Sequence, residues 1–323
     1  MGYGSIGRRH IDNLSSISDL EIIVCTTHKT DKFLRENGCK VLNTMEKCIN
    51  EKPQIALITN VTSHHIETAI KLANAGINLF IEKPLSDSLH GVNTLLKIVK
   101  ERDLVTLMGC NLRFHPAIKK IKEIISKKHI GKVISVHVEN GSFLPNWHPY
   151  EDYRDSYAAR EDLGGGVVLT NIHEIDYLFW FFGKVKEVFS FTGKFSHLDL
   201  AADDLSAILL RFENDVIAEV HLDYFQRPDF RSCKIIGTKG TVHWDSETNV
   251  VKVYDVKKKK WIEVLKIKNY DINNTYVEEV LYFLNCIKRK EKTINSVNEG
   301  SRVLEIALAI KRASKIKKVV TLN

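Results

Sequence analysis

Short apolar runs alternate with amphipathic stretches along the first 110 residues of the chain. Runs of this length predict buried strands of a parallel sheet, because such strands are covered on both faces. They occupy residues 21–26, 54–59, 78–81 and 105–109. Between and after them, apolar residues recur at helical spacing over 66–73 and 89–102. The alternation predicts an α/β domain with helices on both faces of a parallel sheet.

Beyond Pro116, polar and apolar residues mainly alternate one by one along the chain. Polar and apolar positions alternate over residues 133–138, 205–212, 216–222, 232–236 and 241–244. Such segments predict antiparallel strands with one covered face. Helical spacing appears at 118–125 and returns over 275–286 and 299–315. We therefore predict two domains, residues 1–112 and 113–323, the second built on a large, open, mostly antiparallel sheet. The C-terminal helix is a candidate to pack back on the first domain.

The chain opens on a glycine-rich loop of the form G-x-G-x-x-G. Its first glycine makes a turn, its second lets backbone approach a pyrophosphate, and its third lets helix and strand pack closely. The free N–H groups of the helix that follows would face the anion. The loop predicts a dinucleotide site made by Gly2, Gly4, Ser5, Ile6, Gly7 and Arg8.

The strand that normally precedes such a loop is absent from the sequence. Two explanations stay open: the start of the chain is displaced, or the sheet lacks one central strand. Loss of a central strand would expose apolar sheet and leave backbone donors unpaired. We therefore expect a clipped start in preference to a redesigned sheet.

The segment Glu82-Lys83-Pro84 directly follows a predicted parallel strand. Ligands bind at the carboxyl ends of such strands. Proline restricts the backbone of the residue before it, so Lys83 is held in a defined conformation. A lysine there can bond a substrate hydroxyl and steady an oxyanion. A surface lysine at a strand end is the equally open alternative.

Three glycines, Gly164 to Gly166, precede a segment with helical spacing. Read as one helix, it places Thr170, His173 and Tyr177 on a polar face, at positions i, i+3 and i+7. The glycines would let another group come close. Histidine is the side chain best suited to move a proton near neutral pH. His173 is therefore a candidate acid/base, with a structural histidine as the alternative.

Residues 147–160 are rich in aromatics, arginine and carboxylates but poor in aliphatic side chains. Aromatic rings stack on the faces of sugars, and arginine guanidinium groups donate paired hydrogen bonds to oxygens. This loop therefore suits a polyhydroxylated or phosphorylated ligand. An arm that wraps a partner subunit is the alternative. Asn111, Arg113 and His115 follow a strand end and could line the same cleft or serve packing.

Composition excludes several classes of protein. The 323 residues allow two domains with cores of their own. No apolar run approaches the ~20 residues that a membrane span needs. The net charge of +7 is spread over the chain, and the densest lysine run, 257–260, lies between two alternating segments and predicts a hairpin loop. We expect no nucleic-acid or membrane partner.

The six cysteines form no C-x-x-C pair. They predict reduced thiols in a cytoplasmic protein and no metal site.

Together these residues resemble the Gfo/Idh/MocA family, the glucose-fructose oxidoreductase and inositol dehydrogenase group. The matching segments are residues 2–10, 59–60 with His65, 82–84, 111–116, 164–176 and 237–240. The resemblance implies a Rossmann domain followed by an α/β domain with a large open sheet. It also implies NAD(P)-dependent oxidation or reduction of a sugar or cyclitol hydroxyl. Homo-oligomers, dimers or tetramers, are expected through the open sheet.

The resemblance also implies roles for individual residues. Lys83 would be the catalytic lysine and His173 the acid/base, with Thr170 beside it. Thr59, Asn60, His65 and Glu82 would join the glycine loop in binding the cofactor. Substrate contacts are expected from Asn111, Arg113, Tyr153, Arg154, Tyr157 and Asp176. The segment 153–177 further resembles a subgroup that makes bacterial surface sugars of the nonulosonic acid type.

This chain departs from the family at Thr170, where an aspartate usually stands. Threonine cannot hold an imidazolium by charge, so activity is expected to be altered, slower or lost. A catalytically impaired sensor or partner subunit of the same fold is the alternative function. The second strand ends without the acid that would hold the ribose of NAD. Thr26, Thr27 and Lys29 could accept a 2′-phosphate instead, which favours NADP over NAD.

Overall fold

The computed structural model describes residues 1–17 and 20–322. The chain divides into two compact units, each made of two segments. The first comprises Met1–Asn111 and Ile272–Arg302, and the second comprises Leu112–Asp271 and Val303–Asn323. Over the described residues, every helix is too short or too polar to cross a membrane.

The first unit is built from parallel strands flanked by helices. Its strands are β1 (Ile23–Cys25), β2 (Lys40–Leu42), β3 (Ile55–Ile58), β4 (Asn78–Glu82) and β5 (Thr106–Gly109). Its helices begin with α1 (Ser5–Ser15), α2 (Lys32–Glu36), α3 (Met45–Asn50), α4 (His65–Asn74) and α5 (Val92–Glu101). All four predicted strands are confirmed, and β2 is a short addition. Phe80 and Leu107 of β4 and β5 form the core of this unit with side chains from residues 280–283.

The parallel strands form two separate pieces. β1 pairs with β2, while β3, β4 and β5 pair in that order. Backbone hydrogen bonds of Met1 and Gly2 connect the two pieces. The amide of Gly2 donates to the carbonyl of Cys25 at 3.4 Å, and the carbonyl of Met1 accepts from the amide of Thr59 at 2.9 Å. In the described residues, no strand lies between β1 and β3.

The second unit carries the large sheet. Its strands are β6 (Val133–Gly141), β7 (Val185–Gly193), β8 (Leu205–Phe212), β9 (Ile217–Asp223), β10 (Phe230–Gly237), β11 (Gly240–Asp245), β12 (Val250–Asp255), β13 (Lys260–Lys266) and β14 (Val320–Thr321). Their order is β13-β12-β11-β10-β6-β9-β8-β7-β14. Among the described strands of this sheet, only β6 and β9 pair in parallel. The predicted hairpins at 237–240 and 257–260 are both present.

The remaining helices are α6 (Pro116–Ser126), α7 (Val167–Thr170), α8 (His173–Phe182), α9 (Asn273–Arg289) and α10 (Val297–Ile316). Helix α9 belongs to the first unit, and α10 begins in the first unit and ends in the second.

One face of the large sheet is covered and the other is open. Along β8 buried residues alternate with exposed ones, because successive side chains of a strand point to opposite faces. On the covered side, Ser190 donates to the carbonyl of Ile310 in α10 at 2.6 Å. On the open side, Phe191 and Leu209 remain 62% and 48% exposed.

Candidate active site

The geometry of the glycine loop matches the three roles that its spacing predicts. Gly2 has a φ of 107°, and a side chain there would meet the amide of Asn60 at 2.6 Å. At Gly7 a side chain would meet the carbonyl of Gly2 at 2.6 Å, so only glycine lets α1 lie this close. Gly4 faces open space and precedes α1 as its N-cap, without a capping side chain. The N-terminal amides of α1 are therefore available to a pyrophosphate.

Glu82 ties the candidate lysine to the glycine-loop helix. It is buried at the end of β4, where Oε1 lies 2.7 Å from Nε2 of His10 in α1. Its second oxygen accepts from the backbone amide of Lys83 at 3.3 Å. Lys83 itself is half-buried. His10 was missed in the sequence analysis, although a carboxylate at the end of a buried strand needs such a partner.

His65 fixes the other side of the same segment. Its two ring nitrogens lie 2.7 Å from the carbonyl of Pro84 and 2.9 Å from the carbonyl of Asn60. Burial lowers the pKa of His65. The histidine therefore joins the loop after β3 to the loop after β4, both at the carboxyl edge where ligands bind.

The loop after β1 holds an acid that the sequence analysis did not assign. Asp31 caps α2, accepting from the amide of Leu34, and it accepts a hydrogen bond from the hydroxyl of Tyr3 at 2.7 Å. Arg8 pairs with the same carboxylate at 2.6 Å and stacks over the ring of Tyr3. These bonds lower the pKa of Asp31, with the Leu34 amide as the main cause. The predicted Thr27 and Lys29 are exposed beside it, and Thr26 is half-buried.

Asn111 ends the first unit. It is buried, and its side-chain amide donates to the hydroxyl of Thr275 in the same unit at 2.7 Å.

In the second unit, the space beside the three glycines is filled by other segments of the same chain. A side chain at Gly165 would meet the carbonyl of Tyr157 at 2.1 Å, and one at Gly166 would meet the carboxylate of Asp203 at 2.6 Å. The amides of these two glycines also donate to the carbonyls of Arg160 and Ala158, both at 2.9 Å. The glycines therefore seat residues 157–160 and Asp203 against the start of α7.

The interpretation of the segment after the three glycines as one helix is wrong, because two helices lie there. Helix α7 ends at Thr170, and α8 begins at His173. Tyr177, predicted on a polar face, is fully buried, whereas His173 is half-buried. Thr170 is buried and interacts with the hydroxyl of Tyr224.

Two ion pairs fix the start of α8. Asp176 forms a two-bond pair with Arg113, with both distances at 2.8 Å. Glu174, which is fully buried, pairs with Arg231 at 2.8 Å. Both helix carboxylates are thereby directed into the unit, while His173 keeps partial exposure.

The predicted substrate loop, residues 147–160, is held by hydrogen bonds and ion pairs of its polar side chains. The hydroxyl of Tyr153 accepts from the amide of Asp199 at 3.0 Å. Arg154 pairs with Asp152 and, at 3.5 Å, with Asp199. Arg154 is exposed, and Tyr153 and Tyr157 are half-buried. No cluster of three or more metal-ligating side chains occurs over residues 1–17 and 20–322.

A glycine loop with open helix amides and a fixed lysine after the fourth strand define the class: a dinucleotide-binding oxidoreductase. Comparison with known families agrees. Residues 1–110 match the oxidoreductase family model with an NAD-binding Rossmann fold, and residues 118–243 match the GFO/IDH/MocA C-terminal domain. The chain belongs to the Gfo/Idh/MocA family of NAD(P)-dependent oxidoreductases.

Curated relatives are moderately similar. Myo-inositol 2-dehydrogenase of Thermotoga maritima is 27% identical, covering 100% of this chain and 97% of its own length. Levoglucosan dehydrogenase of Pseudarthrobacter phenanthrenivorans is 24% identical, over 62% of this chain and 58% of its own. A 2,7-anhydro-N-acetylneuraminate hydratase of Escherichia coli is 23% identical, over 67% and 58%.

Solved structures share the fold. Levoglucosan dehydrogenase in complex with NADH superposes with a TM-score of 0.90 at 18% identity, covering 100% of this chain and 97% of its own. A structure described as a putative NADPH-dependent oxidoreductase from Desulfitobacterium hafniense gives 0.86 at 22% identity, covering 99% and 96%.

Proposed function

We propose that this enzyme oxidises or reduces a hydroxyl or keto group of a sugar, a cyclitol or an amino sugar. The observation that carries the proposal is the double anchoring of the Lys83 segment, by Glu82 on one side and by His65 through Pro84 on the other. A backbone fixed on both sides limits where the ammonium can go. That is the requirement for a group that must meet a reacting atom within about 3 Å.

In the proposed mechanism, Lys83 and His173 have separate tasks. The ammonium of Lys83 donates a hydrogen bond to the reacting oxygen and stabilises negative charge on it. The imidazole of His173 takes the hydroxyl proton in oxidation and returns it in reduction. The nicotinamide, when bound, accepts or gives the hydride at C4. Arg113 and Asp176 are buried and bonded to each other, so we assign them to positioning α8 and His173.

The experiment is a survey of nicotinamide absorbance at 340 nm with purified enzyme. The substrates are myo-inositol, levoglucosan, aldoses, and amino sugars of the nonulosonic type. Lys83→Ala should lower kcat by about 10²–10³-fold while cofactor binding persists, because one removed charge-stabilising donor costs about that much. Lys97→Ala, an exposed lysine of the same unit, is the matched control. Tight cofactor binding without turnover, unchanged by Lys83→Ala, would favour a non-catalytic dinucleotide sensor.

For the cofactor we propose a preference for NADP. The acceptors of Asp31 are already occupied by Tyr3, Leu34 and Arg8, which leaves the carboxylate poorly suited to bond ribose hydroxyls. The exposed Thr27 and Lys29 flank the same turn and offer donors to a 2′-phosphate. Solved relatives are described with NADH in one case and as NADPH-dependent in another.

We further propose a homo-oligomer joined through the open face of the large sheet. Phe191, Leu209 and Ile217 remain exposed there, and exposed apolar surface of this kind is typical of protein interfaces. Leu209→Arg should shift the mass measured by light scattering toward the monomer. The six cysteines are all free thiols, which supports a reducing, cytoplasmic environment.

A further inference from the structure

Arg231 of the second unit is an arginine whose donors are only partly used. Its Nε lies 2.8 Å from Oε1 of Glu174, whose side chain is fully buried, while the Arg231 side chain remains 25% exposed. Over the part of the chain that the structure describes, the two terminal nitrogens of its guanidinium make no hydrogen bond. The N–H donors of these nitrogens are therefore open to a ligand.

Buried polar groups hold this guanidinium in place. Each oxygen of Glu174 has a neighbour, since Oε1 faces Arg231 and Oε2 accepts from the side-chain amide of Asn140 at 3.3 Å. Asn140 lies in β6, directly opposite Arg231 in β10. The backbone amide of Arg231 donates to the hydroxyl of Ser246 at 2.9 Å. An arginine that is fixed at Nε and along its backbone loses little freedom when a ligand binds its outer edge.

Arg231 lies at the end of the large sheet where the start of α8 packs. β6 ends at Gly141 and leads into the predicted substrate loop, and β10 begins beside that end. Glu174 directly follows His173, the candidate acid/base, at the start of α8. Arg231 therefore contacts the residue next to His173, in the same unit and at the sheet end from which the predicted substrate loop leaves.

Three other arginines of the second unit have their guanidinium groups occupied. Arg113 uses Nε and a terminal nitrogen for its two bonds to Asp176. Arg154 and Arg160 of the predicted substrate loop each pair with an aspartate two residues away. An anionic ligand that needs an arginine with open terminal nitrogens would therefore find it at Arg231.

We propose that Arg231 binds a carboxylate of the substrate, so that the preferred substrate is an acidic sugar. The inference rests on the proposed function, because it concerns the sugar on which Lys83 and His173 would act. The planar guanidinium of arginine matches the two oxygens of a carboxylate, and such charge-assisted bonds are about twice as strong as bonds between neutral groups. Because Glu174 engages Nε, the outer edge of the guanidinium is the part that stays open to this anion.

The test measures the binding of matched ligands, an acid and its neutral form. Glucuronate and galacturonate are each paired with their neutral amide, and N-acetylneuraminate is paired with its methyl ester. Titration calorimetry is done on the whole chain with saturating NADPH, because the reduced cofactor cannot accept a hydride and no turnover disturbs the Kd. At least one acid should bind about 10–100-fold more tightly than its neutral form, the usual worth of hydrogen bonds between charged groups.

Three variants isolate the arginine. Arg231→Gln combined with Glu174→Gln removes both charges together, which a buried pair tolerates far better than the loss of one partner, and should reduce the preference for the acid to within about 2-fold. Arg231→Lys keeps the charge without the planar fork and should weaken binding of the acid about 5–20-fold. Arg211→Gln, at a partly exposed arginine of the same unit, is the control and should keep the full preference.

Two results would overturn the proposal. One is a wild-type protein that binds none of the acids more tightly than its neutral form. The other is an unchanged preference in Arg231→Lys and in the double variant. The proposed activity stands apart from both results: turnover of neutral sugars without a preference for acids refutes the role of Arg231 alone. A preference for acids that is lost in the double variant, without turnover of any sugar, supports the role of Arg231 and refutes the oxidoreductase mechanism.

Discussion

Nε2 of His10 lies 2.7 Å from Oε1 of Glu82, and both side chains are buried. His10 stands in α1, the helix that begins at the glycine loop, and Glu82 directly precedes Lys83. The contact therefore links the segment that would hold the pyrophosphate to the segment that carries the candidate catalytic lysine.

Removal of the His10 side chain should impair catalysis because it shifts the position of Lys83. In His10→Ala the carboxylate of Glu82 loses a buried partner, which costs about 3–5 kcal/mol when such a pair is broken. We expect kcat to fall about 10–100-fold with a smaller change in the KM of the sugar, because the lysine is misplaced and not lost. Steady-state kinetics and Tm measure both effects.

Two further variants separate positioning from general damage. His10→Gln, which keeps a side-chain donor, should recover part of kcat. His64→Ala removes an exposed histidine of the same unit and should change neither quantity. An unchanged kcat in His10→Ala at full cofactor saturation would refute the coupling.

The turn after β1 should control cofactor choice. If Lys29 grips the 2′-phosphate, Lys29→Ala raises the KM for NADP about 5–20-fold, the loss of one charge-assisted bond, and leaves the KM for NAD within 2-fold. Lys32→Ala, an exposed lysine three residues away, is the control. A parallel loss for both nucleotides would place Lys29 outside 2′-phosphate recognition.

The Arg113–Asp176 pair should dominate the stability of the second unit. Asp176→Ala leaves the guanidinium buried without this carboxylate, at an expected cost of about 3–5 kcal/mol in the free energy of unfolding. Glu123→Ala removes an exposed pair on α6 and should cost less than about 1 kcal/mol. Urea unfolding of both variants gives the comparison. Equal costs would show that burial does not set the strength of the pair.

Stability should fall in mild acid because of His115. Burial, helped by the charge of Arg231, lowers the pKa of His115 to about 4. In the unfolded chain the pKa of a histidine is about 6.5, so the unfolded state binds a proton more readily than the folded state. The stability that is present above pH 6.5 is therefore lost as the pH falls toward 4. At pH 5 the loss is about 2 kcal/mol.

His115→Asn isolates this effect. The imidazole caps α6 by accepting from the amide of Ala117, and asparagine is a strong capping residue that does not titrate. The difference in unfolding free energy between pH 7 and pH 5 should therefore shrink by about 2 kcal/mol in the variant. An identical pH dependence in both proteins would contradict the assigned cause.

Local patterns in the sequence predicted most of the strands. Segments such as 205–212 and 54–59 reveal their structure through short-range periodicity, which needs no knowledge of the rest of the molecule. The order of the strands in the large sheet, with β6 and β9 parallel at its centre, could not be predicted from these local patterns. It depends on which strands meet across about eighty residues.

The candidate site was harder to predict where partners are distant. Asp31 meets Tyr3 from 28 residues away, and His10 meets Glu82 from 72. The break between α7 and α8 lies at 171–172, and the apolar spacing that runs through both helices gives no sign of it. The partners of Glu174 and Asp176, which are Arg231 and Arg113, are likewise distant in the sequence.

The alternation along β8 has an evolutionary consequence. Ser206, Ile208 and Leu210 belong to the interior, while Ala207 and Leu209 between them belong to the open face. Mutations at the second set can change the outer surface of the sheet without disturbing the packing beneath it. The surface and the core of this unit are thus free to diversify at alternate positions of one strand.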